Sequence, residues 1–227
     1  MFIGHYAVAL AAKRAAPRTS LGTLFAAATL ADLVWPAFVL TGWERVRITG
    51  GPNPFLNLTF DAYPISHSLL TLLAWAALFA LWYRARTSYA HGALIVALLV
   101  VSHWVLDWVT HVPDMPLYPG GGPRVGLGLW NHVGGTVLVE AAMFGAALWI
   151  YLEMTRARDA VGRYGFGALI ALLVASYAAS LFSPPPPTTT ALGIGGLLFG
   201  WLFVAWAGWG DKHREVVPRR HEATFHG

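Results

Sequence analysis

Apolar residues in this chain gather into long runs separated by short polar stretches. Six runs reach about 20 residues, the length that crosses a hydrocarbon core: Ser20–Thr41, Ile65–Tyr83, Gly92–His111, Val133–Tyr151, Tyr164–Phe182 and Ala191–Gly210. A seventh, Met1–Ala12, is too short to cross comfortably. It has no basic residue ahead of it and is followed by Lys13-Arg14, the reverse of a secretory signal peptide. The pattern predicts an all-α, polytopic membrane helix bundle with six long transmembrane helices plus a short N-terminal apolar helix. Residues 1–210 form one membrane-embedded domain, and residues 211–227 a polar, basic, mobile tail.

The polar stretches alternate in charge. Lys13, Arg14 and Arg18 precede the first run, Arg84 and Arg86 follow the second, Arg156, Arg158 and Arg163 separate the fourth and fifth, and Lys212, Arg214, Arg219 and Arg220 close the chain. If the runs cross alternately, these twelve of the fifteen Lys and Arg share one side, and only Arg45, Arg47 and Arg124 face the other. The positive-inside rule then predicts a multi-pass protein of the bacterial inner membrane with a cytoplasmic C-terminus and outward loops 42–64, 112–132 and 183–190. The first two loops are long and rich in Pro and Gly, a character that often accompanies function.

Composition agrees. Charged residues make up 11% of the chain against about a quarter in soluble domains. The net charge of +4 is accounted for by the topogenic loops, so no nucleic-acid partner is expected; the expected partners are membrane lipids, including a lipid-like substrate. With no cysteine, disulfide frameworks, thiolate metal sites and cysteine nucleophiles are excluded.

Ionisable residues inside spanning segments are costly and point to function. At about 1.5 Å per residue, Asp32 and His103 lie past the midplane toward the outer side. Asp107 and His111 continue outward from His103, His67 opens the second run, Glu140 lies two turns into the fourth, and His5 joins this layer if its segment starts outward. Glu44, Asp61, Asp114 and His132 fall in the outer loops. The segment Ser102-His103-Trp104-Val105-Leu106-Asp107-Trp108-Val109-Thr110-His111 spaces its His, Asp and His at i, i+4 and i+8, one stripe of a helix. A His and an Asp one turn apart can chelate a divalent cation, zinc first, with manganese or magnesium also suited to carboxylate ligands. They can equally form a buried polar stripe that satisfies itself. In Tyr63-Pro64-Ile65-Ser66-His67-Ser68, Ser66 is positioned to cap the second helix, which would put His67 in its first turn.

Together Gly4-His5, Asp32, His67-Ser68 and Ser102-His103…Asp107…His111 leading to Pro116-Leu117-Tyr118-Pro119 resemble the bacterial inner-membrane-associated metal-dependent hydrolases. The resemblance covers about residues 1–120. It implies a divalent metal held by His5, Asp32, His67, His103 and Asp107. The family's further His-Arg pair before the second helix is replaced here by Asp61, Tyr63 and Pro64, so Asp61, His111 or Asp114 would have to compensate for a ligand contributed there.

The leading expectation is therefore a metal-dependent hydrolase with an outward-facing site, acting on a lipid or another amphiphilic ester or phosphoester. His111, Asp114 or Glu140 would move protons. Alternatives are a proton or cation transporter using the same groups, and a non-catalytic protein with a structural metal or polar core. Bis-histidine haem binding fits less well, because carboxylates interleave with the histidines.

Overall fold

The computed structural model of the protein describes residues 1–217, so Arg219 and Arg220 lie outside the described residues. The chain is mostly helical (68%). Five helices are long and apolar enough to cross a membrane: α5 (Leu69–Thr87), α6 (Ala90–Thr110), α7 (Val133–Met154), the helix that begins with a π-turn at Val161 and continues as α8 (Phe166–Phe182), and α9 (Thr189–Asp211). The count becomes six if α2 (Leu21–Ala28) and α3 (Leu30–Leu40) are taken as one broken span. Large apolar side chains stand outward on these helices, among them Leu81 and Trp82 on α5, Leu138 and Trp149 on α7, and Leu198 and Trp201 on α9. Apolar surface on this scale on a monomeric chain marks the face of a membrane protein.

The expected unbroken first span is bent by 58° at Thr29. Ser20 caps α2 by accepting from the Thr23 N–H, and the Thr29 hydroxyl bonds back to the Phe25 carbonyl at 2.8 Å. Such back-bonding by Thr competes with the helical ladder and bends helices. Pro36 sits inside α3, where it withholds the N–H that would have bonded the Asp32 carbonyl.

The short first helix, α1 (Ile3–Ala12), has Ile3, Gly4, His5, Tyr6, Ala7, Ala9 and Leu10 buried. At about 15 Å it is half the length needed to cross a bilayer. It lies inside the bundle against α2, α6 and α7, while α5 pairs with α6 and both α2 and α3 lie on α9.

Two ends are well defined. At one, β1 (Arg45–Ile48) pairs antiparallel with β2 (Leu58–Ala62), and β3 (Met115–Pro116) with β4 (Arg124–Val125). Arg124 joins the two hairpins by donating to the carbonyls of Phe60 and Asp61, and Asn53 donates to the Trp130 carbonyl. These segments, expected as loops, are folded into a cap by short hydrogen-bonded hairpins. At the other end Lys13 pairs with Asp211 at 2.7 Å, Thr19 with Tyr83, and His91 with the Ala15 carbonyl. There β5 (Thr155–Ala157) pairs with β6 (Arg214–Val216). The expected mobile tail is thus tied down through Val217, whose N–H reaches the Met154 carbonyl. Arg214 also lies over the rings of Tyr151 and Phe166.

Helices α2 and α9 meet backbone to backbone at Gly22, where an added Cβ would fall 2.8 Å from both Gly208 Cα and the Val204 carbonyl oxygen. Gly22→Ala is expected to lower stability by about 1–3 kcal/mol through overpacking. Gly145→Ala, whose Cβ meets nothing within 4 Å, serves as control. Equal thermal midpoints for the two variants in detergent would contradict this account of the α2–α9 contact.

Candidate metal centre

The site grows out of the break at Thr29. The break turns the Ala28 carbonyl toward α6, where His103 Nδ1 lies 2.9 Å away. A carbonyl only accepts, so Nδ1 carries the proton and the buried Nε2 carries a lone pair. That Nε2 has no hydrogen-bond partner, yet it lies 3.1 Å from Asp107 Oδ2 one helical turn on. A lone pair facing a carboxylate oxygen at this distance requires a cation or an additional proton between them.

His67 is arranged in the same sense by a different device. Glu44 is buried and accepts the N–H groups of Ile65 and Ser66 on one oxygen and the Ser66 hydroxyl at 2.6 Å on the other. The Ser66 hydroxyl proton is thereby spent. Its oxygen accepts from His67 Nδ1 at 2.7 Å, so Nε2 again carries the free lone pair. That nitrogen lies 3.5 Å from Asp32 Oδ1 and 3.9 Å from Asp107 Oδ2.

Ser66 is therefore not the cap of the second long helix. Pro64–His67 forms a separate turn, α4, and Ser68 caps α5 by accepting from the Thr71 N–H. The Ser66 oxygen accepts from His67 Nδ1 rather than from a backbone N–H of α5, which begins only after Ser68. The extended backbone of Ser68, ψ 145°, redirects the chain between the two helices.

His5 completes the group. Its ring stacks on that of His103 with centroids 3.9 Å apart, and its Nε2 lies 3.1 Å from Asp107 Oδ1. Glu140 holds α1 in place by accepting the N–H groups of Phe2 and Gly4 at 2.9 and 3.0 Å, two of the donors left open at a helix N-terminus. The Met1 amino nitrogen lies 2.6 Å from Asp107 Oδ1.

Five side chains from α1, α3, α4 and α6 thus converge, and two overlapping sets, His5–His103–Asp107 and Asp32–His67–His103, have metal-ligand spacing. Because Nδ1 of His103 is engaged, only its Nε2 remains for both sets, which favours one shared position. Donor separations of 3.1, 3.5, 3.8 and 3.9 Å within the group suit neighbouring ligands around one ion with bonds of about 2.0–2.2 Å. The residues fit the group that the resemblance implies. His5, His67, His103 and Asp107 are buried, whereas the Asp32 side chain is 48% exposed to a cavity of about 610 Å³.

His111, the third member of the sequence stripe, leaves it. Helix α6 ends at Thr110, and His111 has extended backbone. Its Nδ1 pairs with Asp114 at 2.9 Å and its ring packs on Trp130 at 4.1 Å. Tyr63 donates to the same Asp114 oxygen; burial and the Asp114 charge push its phenol pKa up, so it remains a donor. Asp61 pairs with Arg47 through two bonds of 2.7 and 2.8 Å, which holds its carboxyl below the usual range. Among the described residues, no side-chain hydrogen bond joins His111, Asp114, Asp61 or Glu140 to the side chains of the five-residue group.

The sequence alone does not single out Glu44 or the Ala28 carbonyl as orienting groups. The proximity of Ser66 to His67 was the only local signal for the first, and nothing along the chain signals the second. No protein-family model, curated protein or solved structure matches the chain, so a functional reading rests on this geometry.

Glu44→Gln and Ser66→Ala each leave buried donors or acceptors unpaired and are expected to cost about 1–3 kcal/mol, read from thermal unfolding in detergent. Asp61→Asn, in an exposed pair, should leave the midpoint unchanged. A Ser66→Ala midpoint equal to wild type would sink the relay from Glu44 to His67.

Proposed function

We propose that the protein is a membrane-embedded hydrolase that uses one divalent ion, held by Nε2 of His5, His67 and His103 and by the carboxylates of Asp32 and Asp107. Its substrate is a lipid or another amphiphilic ester or phosphoester. The observation that carries this reading is the pair of committed Nδ1 atoms: with Nδ1 of His103 on the Ala28 carbonyl and Nδ1 of His67 on Ser66, both Nε2 atoms face carboxylate oxygens. Two carboxylates and neutral imidazoles suit a borderline dication, zinc first, with manganese or magnesium as alternatives. When bound, such an ion polarises a substrate oxygen and lowers the pKa of a coordinated water toward neutrality.

The chain's own residues do the positioning. The Ala28 carbonyl orients His103, Glu44 and Ser66 orient His67, and Glu140 orients α1 and with it His5. Outer partners of this kind set ligand direction and basicity. Of the residues nominated to move protons, Glu140 remains the candidate, because its Oε1 is buried without a partner. The His111–Asp114 pair is engaged with Tyr63 and the hairpin cap.

Exposure of Asp32 to a large cavity favours catalysis over a structural metal, since structural sites are closed and catalytic ones keep an open position. Transport is less well supported. Toward the basic end the interior near α1 and α6 is filled by Leu10, Leu24, Phe25, Val96, Leu99 and Val100, all buried and apolar. We place six spans in a bacterial inner membrane, with the hairpin cap outside and the basic end, including the C-terminus, in the cytoplasm, on the strength of the charge asymmetry.

Elemental analysis of detergent-purified protein is expected to find about one zinc-class ion per chain, lost in His103→Ala and Asp107→Ala; a metal-free wild type overturns the proposal. Release of phosphate or fatty acid from a lipid panel, abolished by the same changes, separates an enzyme from a structural site. The chain contains no cysteine, so Gly50→Cys and Thr87→Cys report sidedness directly. Impermeant maleimide should label Gly50→Cys from outside; labelling of Thr87→Cys instead reverses the orientation.

A further inference from the structure

Where α3 lies on α9, Leu40 faces Gly193, Pro36 faces Gly196 and Leu33 faces Gly200. The two helices therefore run antiparallel, and Asp32 sits at the inner end of their contact. The cavity of about 610 Å³ beside Asp32 follows this contact outward. Its wall takes in α9 from Phe203 to Leu192, roughly 16 Å along the helix. It ends between the hairpin cap, at Pro54 and Asn57, and the Ser183–Pro186 connector. Asp32 thus closes the deep end of a shaft whose other end lies at the cap.

Polar groups mark the shaft among apolar ones such as Phe199. Ser176, Ser180 and Ser183 are spaced i, i+4 and i+7, one stripe of α8 and its C-cap, and all three line the cavity. In Thr29 and Ser180 the hydroxyl proton is spent on the carbonyls of Phe25 and Tyr177, so each has only oxygen lone pairs left to offer. Among the described residues no Lys, Arg or His lines the cavity, and Asp32 is its one charged group. The Asp32 side chain is 48% exposed. A carboxylate facing hydrocarbon to that extent is too costly, so the space around it holds water. The volume takes on the order of twenty water molecules.

We propose that this cavity is a water-filled vestibule that conducts a hydrated divalent cation from the hairpin end to the metal centre, with Asp32 the first ligand the ion meets. The proposal rests on the metal centre described above for its destination. Sign and donor chemistry carry it. A hydrated cation turns water protons outward, and the wall meets them with oxygen lone pairs and one carboxylate, an arrangement that opposes an anion. The other four ligands are buried, so the side of the centre that opens is the Asp32 side.

Loading kinetics test the route. An added Cβ at Gly195, in the cavity wall, meets nothing within 4 Å, so Gly195→Trp projects into the shaft. Gly145 on α7 is equally free of neighbours but outside the cavity, and Gly145→Trp is the control. Metal-stripped protein in detergent would be mixed with Co²⁺, whose visible absorption reports entry into an N/O site. Wild type and Gly145→Trp are expected to load at the same rate and Gly195→Trp at least 10-fold more slowly, all three reaching the same cobalt content.

A second readout needs no metal. The chain has no cysteine, and thiols react as thiolates, which form in water rather than in hydrocarbon. Ser176 lines the cavity, whereas Ala178, two residues on and exposed, lies on the opposite face of α8. In proteoliposomes an impermeant methanethiosulfonate at the hairpin side should modify Ser176→Cys at least 10-fold faster than Ala178→Cys, although Ala178 is nearer that end of the helix. Equal loading by Gly195→Trp and wild type, or equal modification of the two cysteines, overturns the vestibule and leaves the metal centre standing. A wild type that takes up no cobalt removes the centre and the cation route with it. Slow loading of Gly195→Trp in a protein without hydrolytic activity supports the route and removes only the hydrolase.

Discussion

Everything at the centre of this bundle depends on one opposition: the lone pair of His103 Nε2 pointing at the Asp107 carboxylate from 3.1 Å inside an apolar interior. A histidine nitrogen and a carboxylate this close in a low-dielectric core are costly unless a proton or a cation lies between them, even with the Met1 amino group on the other Asp107 oxygen. The arrangement persists because the opposite nitrogen is committed to the Ala28 carbonyl. That carbonyl is available only because the first span breaks at Thr29. The break is thus part of the site, and so is the placement of Asp32 on the far side of it. In a straight helix through residues 20–41 the Ala28 carbonyl would point along the helix axis to the Asp32 N–H instead of sideways at His103.

The other elements can be understood as supports for that arrangement. Helix α1 is too short to cross a bilayer, but it brings His5 against His103 while Glu140 satisfies its first N–H groups. Its far end is fastened by Lys13 to Asp211, so the helix is held at both termini. The hairpin cap delivers Glu44 to Ser66 and thereby sets the direction of His67. His111, Asp114, Tyr63 and Trp130 brace the cap where it meets the end of α6. Polar groups in the interior are therefore either directed at one point or spent on holding those that are. Among the described residues the exceptions include Glu140 Oε1, His5 Nδ1, Trp35 Nε1 and the Tyr177 hydroxyl, all buried without a partner. One side of the group opens through Asp32 to the long cavity, which gives the centre a direction.

Much of this could be read along the chain. Long apolar runs dictate helices, since backbone groups in hydrocarbon must be satisfied internally, and the runs match α5 to α9 closely. The spacing of His103 and Asp107 puts both on one helix face whatever surrounds them. Their convergence with His5, Asp32 and His67 was legible from the shared depth band and the resemblance. Other features depended on contacts distant in sequence. His111 keeps the helical spacing but not the site, because the helix ends one residue before it. Ser66 has the chemistry of a cap, but Glu44, 22 positions away, takes its proton and its oxygen accepts from His67 Nδ1. The tail beyond Gly210 is polar, yet strand pairing with Thr155–Ala157 orders it through Val217.

By itself the sequence determined the number and extent of the apolar runs, the segregation of basic residues to one end, and the stripe carrying His103 and Asp107. These follow from local composition and helical periodicity, which need no partner. Tertiary structure alone decided which histidine nitrogens are free, that the first span is broken, and that Asp32 faces a cavity rather than a packed wall. Each of those is settled by a hydrogen bond or a void between segments far apart in the chain. A residue's type limits the bonds it can make, but only the fold determines which partner it meets.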